Sequence, residues 1–224
     1  MAKRIAVIGA GASGLPAMKC TLDEGMTPVC FERTGDIGGL WNFTEQAREG
    51  QACVMKSTVI NTSKEMMPFS DLPIPKDYPN FMHNRKVMDY FHYYMNHFDL
   101  KKYIRFNTEI LKVTQADDFD KTGKWNLRIK DRASGKETDE VFDGIFVCTG
   151  HHAEKHEPKF EGQDDFQGKI VHTHDYKSHE GYEDKRVVVV GIGNSGGDVA
   201  VELGKVARQV SACFLYFKKT NTFL

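Results

Sequence analysis

Apolar positions along the chain change period several times, and each change marks an element. Arg4–Ile8 is a short apolar run of β-branched character that ends at a glycine, the pattern of a strand buried in a parallel sheet. From Ala12 to about Glu24, Leu15, Met18 and Leu22 fall at helical spacing. Pro16 fits the first turn of that helix, where its missing N–H costs little. Pro28–Glu32 is a second short strand, so strand, glycine loop, helix and strand follow one another within about 30 residues. Residues 35–83 read as loop-rich connection, because Pro68, Pro73, Pro75 and Pro79 crowd into 12 positions. Arg85 to about Phe98 is helical again, with Val87, Phe91, Met95 and Phe98 on one face. Ile104–Phe106, Ile110–Thr114, Lys124–Lys130 and Val141–Cys148 read as strands, with turns at Thr122-Gly123 and Ser134-Gly135. They suggest a small antiparallel meander leading into a buried strand. Val187–Val190 is a fully apolar strand, followed by a glycine loop and an amphipathic helix with Val199, Leu203 and Val206 on one face. Strand, glycine loop and helix therefore occur twice.

Composition narrows the class. The 224 residues are 40% hydrophobic and 27% charged, an ordinary globular balance that excludes a disordered or collagen-like chain. Thirty Lys+Arg against 31 Asp+Glu leave a formal charge of -1, so no basic excess argues for nucleic acid. The five cysteines, Cys20, Cys30, Cys53, Cys148 and Cys213, form no CxxC pair and no zinc spacing. Free thiols in a reducing compartment are expected, and no metal site. A disulfide reductase would need a redox cysteine pair that is absent. No run of about 18 apolar residues marks a membrane helix. The basic and apolar start resembles a signal peptide, but its glycine spacing suits a nucleotide loop, and it is read as mature sequence.

The candidate chemistry lies in the two glycine loops. Gly9-Ala10-Gly11-Ala12-Ser13-Gly14 is a GxGxxG sequence between a strand and a helix. The first glycine permits a tight turn, the second a close approach to pyrophosphate, and the third close helix–strand packing. Glu32 ends the next strand, 18 positions beyond Gly14, where a carboxylate can accept the ribose hydroxyls. Gly191-Ile192-Gly193-Asn194-Ser195-Gly196 repeats the arrangement 182 positions later. Two such loops imply two dinucleotides, and a flavin with a nicotinamide makes a hydride donor–acceptor pair. The fold class expected is α/β: a three-layer Rossmann-type domain with a small antiparallel meander at 1–160, then the start of a second Rossmann domain at 161–224.

Further residues carry a family resemblance. Gly38-Gly39-Leu40-Trp41 follows the first unit, and Phe166, Gly168, His172 and Tyr176 fit FxGxxxHxxx[YF] just before the second loop. With Asn61-Thr62-Ser63-Lys64-Glu65-Met66 and Val147-Cys148-Thr149-Gly150-His151-His152, residues 1–211 resemble the flavin-containing monooxygenases. Related Baeyer–Villiger enzymes carry Trp where this chain has Tyr176. The resemblance implies FAD at Gly9, Ala10, Gly11, Ala12, Ser13, Gly14, Glu32, Gly39, Leu40, Trp41, Asn61 and Thr62. It implies NADP(H) at Ile60, Asn61, Gly191, Gly193, Asn194, Ser195, Gly196, Gly197 and Asp198, and Gly150 is a further cofactor-binding candidate. Asn61 would be the catalytic residue, between flavin and nicotinamide. Without the resemblance Asn61 is an ordinary loop amide. His172 reads as a packing residue, and His174 and His179 as solvated.

The activity implied is NADPH-dependent oxygenation of a soft nitrogen or sulfur centre, N,N-dimethylaniline in type, through an FAD hydroperoxide. The partners are molecular oxygen and a small amine or sulfide. The family sits on the cytosolic face of the endoplasmic reticulum membrane through a C-terminal anchor. Such an anchor is missing here, and a soluble cytoplasmic chain is the alternative. From Arg186 only 39 residues remain, enough for about one βαβ unit. A strand from Arg208–Ser211 into Ala212–Phe217 is expected, with no Arg for a 2′-phosphate and with Lys218-Lys219 as a solvated pair. The alternative function is a truncated, non-catalytic isoform or fragment that binds FAD weakly or pairs with a partner, with open sheet edges and apolar surface.

Overall fold

A computed structural model of the chain describes residues 2–213. Expectations for Phe214–Phe217, Lys218 and Lys219 lie outside the described residues. The chain forms two compact units that divide between Glu154 and Lys155. In the first, the elements are β1 (Arg4–Ile8), α1 (Gly14–Asp23), β2 (Thr27–Phe31), α2 (Asn84–His97), β3 (Ile104–Arg105), β4 (Thr108–Gln115), α3 (Phe119–Thr122), β5 (Trp125–Asp131), β6 (Glu137–Phe142) and β7 (Gly144–Val147).

Four strands make a parallel sheet in the order β3-β2-β1-β7. Strand β1 lies between two neighbours, which is why Ile5, Ala6 and Val7 are all buried. Because side chains alternate along a strand, the sheet has two apolar faces. Val7 and Cys30 pack with Leu15 and Met18 of α1 and Val87, Tyr90, Phe91 and Tyr94 of α2. Ala6 and Phe31 pack on the other side with Leu127, Ile129 and Phe142 of the antiparallel sheet β4-β5-β6. Meander, parallel sheet and helices are the three layers of a Rossmann-type α/β unit. The Phe31 and Phe142 rings meet edge-on at 5.8 Å across two of these layers. Arg4 and Arg105 converge on Glu140, tying β1, β3 and β6 together.

Three expectations are corrected. Val141–Cys148 is two strands, not one. The antiparallel β6 ends at Phe142 and the parallel β7 begins at Gly144. Asp143 turns the chain between the sheets: its N–H donates to the Arg4 carbonyl, and its carboxylate accepts the Arg4 N–H at 2.8 Å. Strand β7 is an edge strand with Phe146 and Val147 exposed, so it is not the buried strand expected. Ile104-Arg105 joins β2 in the parallel sheet instead of starting the meander. Asn107, at φ +52°, redirects the chain into β4.

The proline-rich connection is irregular but fastened. The Tyr90 hydroxyl donates to the Leu72 carbonyl at 2.7 Å and accepts the Phe69 N–H at 2.9 Å. The Tyr94 hydroxyl donates to Asp71 at 3.0 Å. Burial, then that carboxylate, pushes the Tyr94 phenol well above its ordinary range.

The second unit contains β8 (Arg186–Val190), α4 (Asn194–Leu203) and β9 (Gln209–Cys213), with β8 and β9 parallel. Val199 and Leu203 are buried on α4, as the periodicity implies. Val206 lies beyond the helix end in a turn, its N–H donating to the Leu203 carbonyl. Among the described residues no helix is long and apolar enough to cross a membrane.

Candidate functional site

The first glycine loop is set by sterics. Gly9 has φ +105°, and a Cβ there would stand 2.4 Å from the Cys148 carbonyl oxygen. A Cβ on Gly14 would fall 1.8 Å from the Gly9 carbonyl oxygen, so the start of α1 lies directly on the loop. Gly11 differs: a Cβ would meet only ordinary contact, 3.6 Å from the Gly39 Cα. Packing inside the protein does not require a glycine at 11, whereas a close approach from outside does. Helix α1 has no capping side-chain hydrogen bond at Ser13 and no acid in its first turn. The Gly14 and Leu15 N–H groups donate to the Gly11 carbonyl and Pro16 has none, so the helix start offers an anion its dipole rather than first-turn N–H groups. Ala12 and Ser13 are exposed.

Glu32 closes the other side of the loop. It is buried, and its carboxylate accepts the Ala10 N–H at 2.9 Å, the Thr34 N–H at 2.9 Å and the Thr34 hydroxyl at 2.8 Å. A carboxylate has about four acceptor positions, so Glu32 braces the loop while keeping about one free. The Gly38 N–H donates to the Ala10 carbonyl at 3.0 Å, bringing the Gly39-Leu40-Trp41 turn against the loop. Gly38 needs its φ of +102°, which L side chains rarely adopt. Gly150 follows Cys148, whose N–H donates to the Ile8 carbonyl, and so lies beyond the same end of β1. Ile60 is buried in the same core as Ala10. Asn61 and Thr62 are exposed, and among the described residues no hydrogen bond ties Asn61 to the glycine loop.

The second loop reproduces the first. Gly191 has φ +106°, and a Cβ on Gly196 would fall 2.4 Å from the Gly191 carbonyl oxygen. Around Gly193 nothing lies within 4 Å of such a Cβ. The Gly9 N–H donates to Phe31 at 2.9 Å, and the Gly191 N–H to Cys213 at 2.8 Å. The strand registers match as well: Arg4 faces Thr27 and Arg186 faces Gln209, each 23 positions on. Helix α4 has no side-chain cap and no acid in its first turn. Asn194 and Ser195 are exposed at its start, with Gly197 and Asp198 one turn on. Partial burial, then the Glu202 carboxylate, pushes the Asp198 carboxyl upward. By the shared count the counterpart of Glu32 is Phe214, outside the described residues.

The segment before that loop is fastened to α4. Tyr176 is buried and its hydroxyl donates to Glu202 at 2.7 Å, an arrangement that pushes the phenol well above its ordinary range, burial first and Glu202 second. The Phe166 ring covers Gly168, where a Cβ would sit 2.4 Å from the ring. His172 is half-buried and its Nδ1 accepts the His174 N–H at 3.1 Å, which suits a packing residue. His179 is half exposed, 3.6 Å from Glu202. His174 is not solvated as expected. Its side chain is 8% exposed, with Nδ1 2.9 Å from Asp175. Lys155 donates to the same carboxylate at 2.8 Å. No group of three or more His, Cys, Asp or Glu among the described residues could hold a metal ion.

Residues 2–216 match the family model described as flavin-binding monooxygenase-like. The chain belongs to that family. Human flavin-containing monooxygenase 5 is 55% identical to this flavin-binding monooxygenase-like chain over 210 residues, 93% of this chain and 39% of the relative. Dimethylaniline monooxygenase [N-oxide-forming] 2 of Macaca mulatta is 51% identical over 212 residues, 94% of this chain and 39% of the relative. Among solved structures, S-allyl-L-cysteine S-oxygenase from Allium sativum superposes with a TM-score of 0.85 at 28% identity, covering 95% of this chain and 51% of that one. The chain thus spans about two-fifths of the length of the curated relatives it matches.

Sequence reasoning about this flavin-binding monooxygenase-like chain missed three contributors. Thr34 holds Glu32, and its position two residues past the acid was the available signal. The Cys148 carbonyl dictates Gly9, and Lys64 fastens the connection after Asn61. Both are contacts between distant positions and leave no local pattern.

Proposed function

We propose that the chain binds FAD in its first unit and NADP(H) in its second, in an enzyme that oxygenates soft nitrogen or sulfur centres of small molecules with molecular oxygen. One observation carries the reading: two strand–glycine loop–helix units share the same register, a first glycine at φ +105° or +106°, a third glycine whose Cβ would strike the carbonyl of the first, and a second glycine that packing leaves free. The names of the relatives, a dimethylaniline N-oxygenase and an S-oxygenase, support the reaction class.

In this reading Gly9–Gly14 and the start of α1 hold the FAD pyrophosphate, and Glu32 offers its remaining acceptor position to the ribose. Gly39, Leu40, Trp41, Thr62 and Gly150 complete that site. Gly191, Gly193, Asn194, Ser195, Gly196, Gly197 and Asp198 hold NADP(H), and the family resemblance assigns Ile60 to the same cofactor. When bound, FAD and NADP(H) supply the redox chemistry and the activation of oxygen. The chain supplies anion binding, orientation and a dry wall, and the Asn61 amide donates a hydrogen bond at the reacting face. Phe166, Gly168, His172 and Tyr176 shape the approach to the second loop. Placement on the cytosolic face of the endoplasmic reticulum membrane rests on the family resemblance.

Titration with FAD, followed by flavin fluorescence, tests the reading, together with NADPH-dependent oxidation of N,N-dimethylaniline. Saturable binding with an N-oxide product supports it, and protein that takes up no flavin refutes it. Exposed Val188, Val190, Ile192 and Val201 favour a second reading, in which the chain pairs with a partner through the second unit. A native mass above that of one chain, with no flavin, would favour that alternative.

A further inference from the structure

The bend that carries Asn61 is closed on both sides by the chain that returns to α2. The Asn84 N–H donates to the Thr58 carbonyl at 2.9 Å, and the Ile60 N–H to the Met82 carbonyl at 2.9 Å. Val59 and His83 form an antiparallel bridge between them. On the far side the Lys64 N–H donates to the Asn80 carbonyl at 2.8 Å. Only Asn61, Thr62 and Ser63 lie between the two clamps.

Lys64 closes the second clamp twice. Besides its backbone bond, its ammonium donates to the Lys76 and Tyr78 carbonyls, each at 2.6 Å. Those carbonyls lie between Pro75 and Pro79, which have no N–H to offer. An ammonium brings three donors and a charge to a segment short of donors, and charge-assisted bonds are the stronger kind. The Tyr78 ring is fixed in turn under Lys86, 4.6 Å from its centroid.

We propose that Lys64 is a positioning residue that holds the Asn61 bend in the orientation the oxygenation requires. The proposal rests on the reading above, in which Asn61 faces the reacting centre. Lys64 touches neither cofactor nor substrate in this account. It acts by limiting how far the three-residue bend can swing.

The test uses the full chain with Lys64→Met and Lys64→Arg. Amide exchange is followed at residues 60–64 and, as a control, within α1. Lys64→Met is expected to speed exchange in the bend by about tenfold, with α1 within about twofold of the parent. With FAD and NADPH present, the fraction of consumed oxygen released as hydrogen peroxide should rise at least about twofold at unchanged flavin content. Lys64→Arg, which retains charged donors, should restore both readouts. Unchanged exchange in Lys64→Met, or faster exchange with an unchanged peroxide fraction, overturns the proposal. If Lys64→Met does not fold, exchange in the parent decides: Ile60 and Lys64 amides exchanging at the rate of an open peptide refute the clamp. A parent chain that takes up no FAD refutes the proposed function instead, and is recognised before any variant is compared.

Discussion

Replacing Glu32 with alanine separates the bracing of the loop from its role toward a ligand. Glu32 is 6% exposed, and its carboxylate accepts three hydrogen bonds at 2.8–2.9 Å. The Ala10 N–H is fully enclosed, so losing its acceptor leaves an unsatisfied donor at a cost of about 1–3 kcal/mol. The two Thr34 donors are half-buried and regain water, so they add about 1 kcal/mol together. Glu32→Ala is therefore expected to lower unfolding stability by about 2–4 kcal/mol. Thr34→Val removes only the hydroxyl and should cost about 1 kcal/mol. Urea unfolding followed by far-ultraviolet circular dichroism measures both, with equal m-values required for the comparison. Equal losses in the two variants, or a loss below about 0.5 kcal/mol in Glu32→Ala, would refute the claim that the carboxylate holds the loop.

The glycines give a paired contrast. Gly14→Ala drives a Cβ into the Gly9 carbonyl and should lose about 3 kcal/mol or more, whereas Gly11→Ala should change unfolding stability by under about 1 kcal/mol yet weaken FAD binding at least about tenfold, read by fluorescence titration. Burial raises the Glu140 carboxyl, but hydrogen bonds and charge from Arg105 and Arg4 outweigh it and hold it below its ordinary value. Its contribution is thus complete above the unfolded carboxylate pKa of about 4.3 and disappears as pH falls through the lowered folded value. Glu140→Gln should flatten that acid limb of a stability–pH profile, and an unchanged limb would count against it. Burial, and then the charge of Glu32, pushes the Cys30 thiol up, so Cys30 should resist thiol reagents until unfolding, while exposed Cys20 and Cys213 react first. Mass mapping of a timed labelling reaction distinguishes these cysteines.

The sequence by itself determined the repeated unit. Short-range patterns carried it: a five-residue apolar strand, glycines at fixed offsets and a helical apolar face. The bounds of β1 agree with expectation to the residue, because a glycine ends the run and both neighbours are strands. The Tyr176 position was also legible, although its tie to Glu202 was not. What the pattern could not decide was which sheet a strand joins. Val141–Cys148 is read as one strand although Asp143-Gly144 interrupts it with a turn-favouring pair, and which sheet each half joins is fixed by the Asp143 carboxylate meeting the Arg4 N–H 139 positions away. Ile104 pairs with Cys30 for a similar reason: pairing is set by contacts between distant positions, while propensity is local. His174 reads as a surface residue, and only the folded chain buries it beside Asp175. The motif already gave Gly9 and Gly14 internal reasons and Gly11 an external one, but only the tertiary structure supplied the contacts behind them, since those depend on what each missing Cβ would strike.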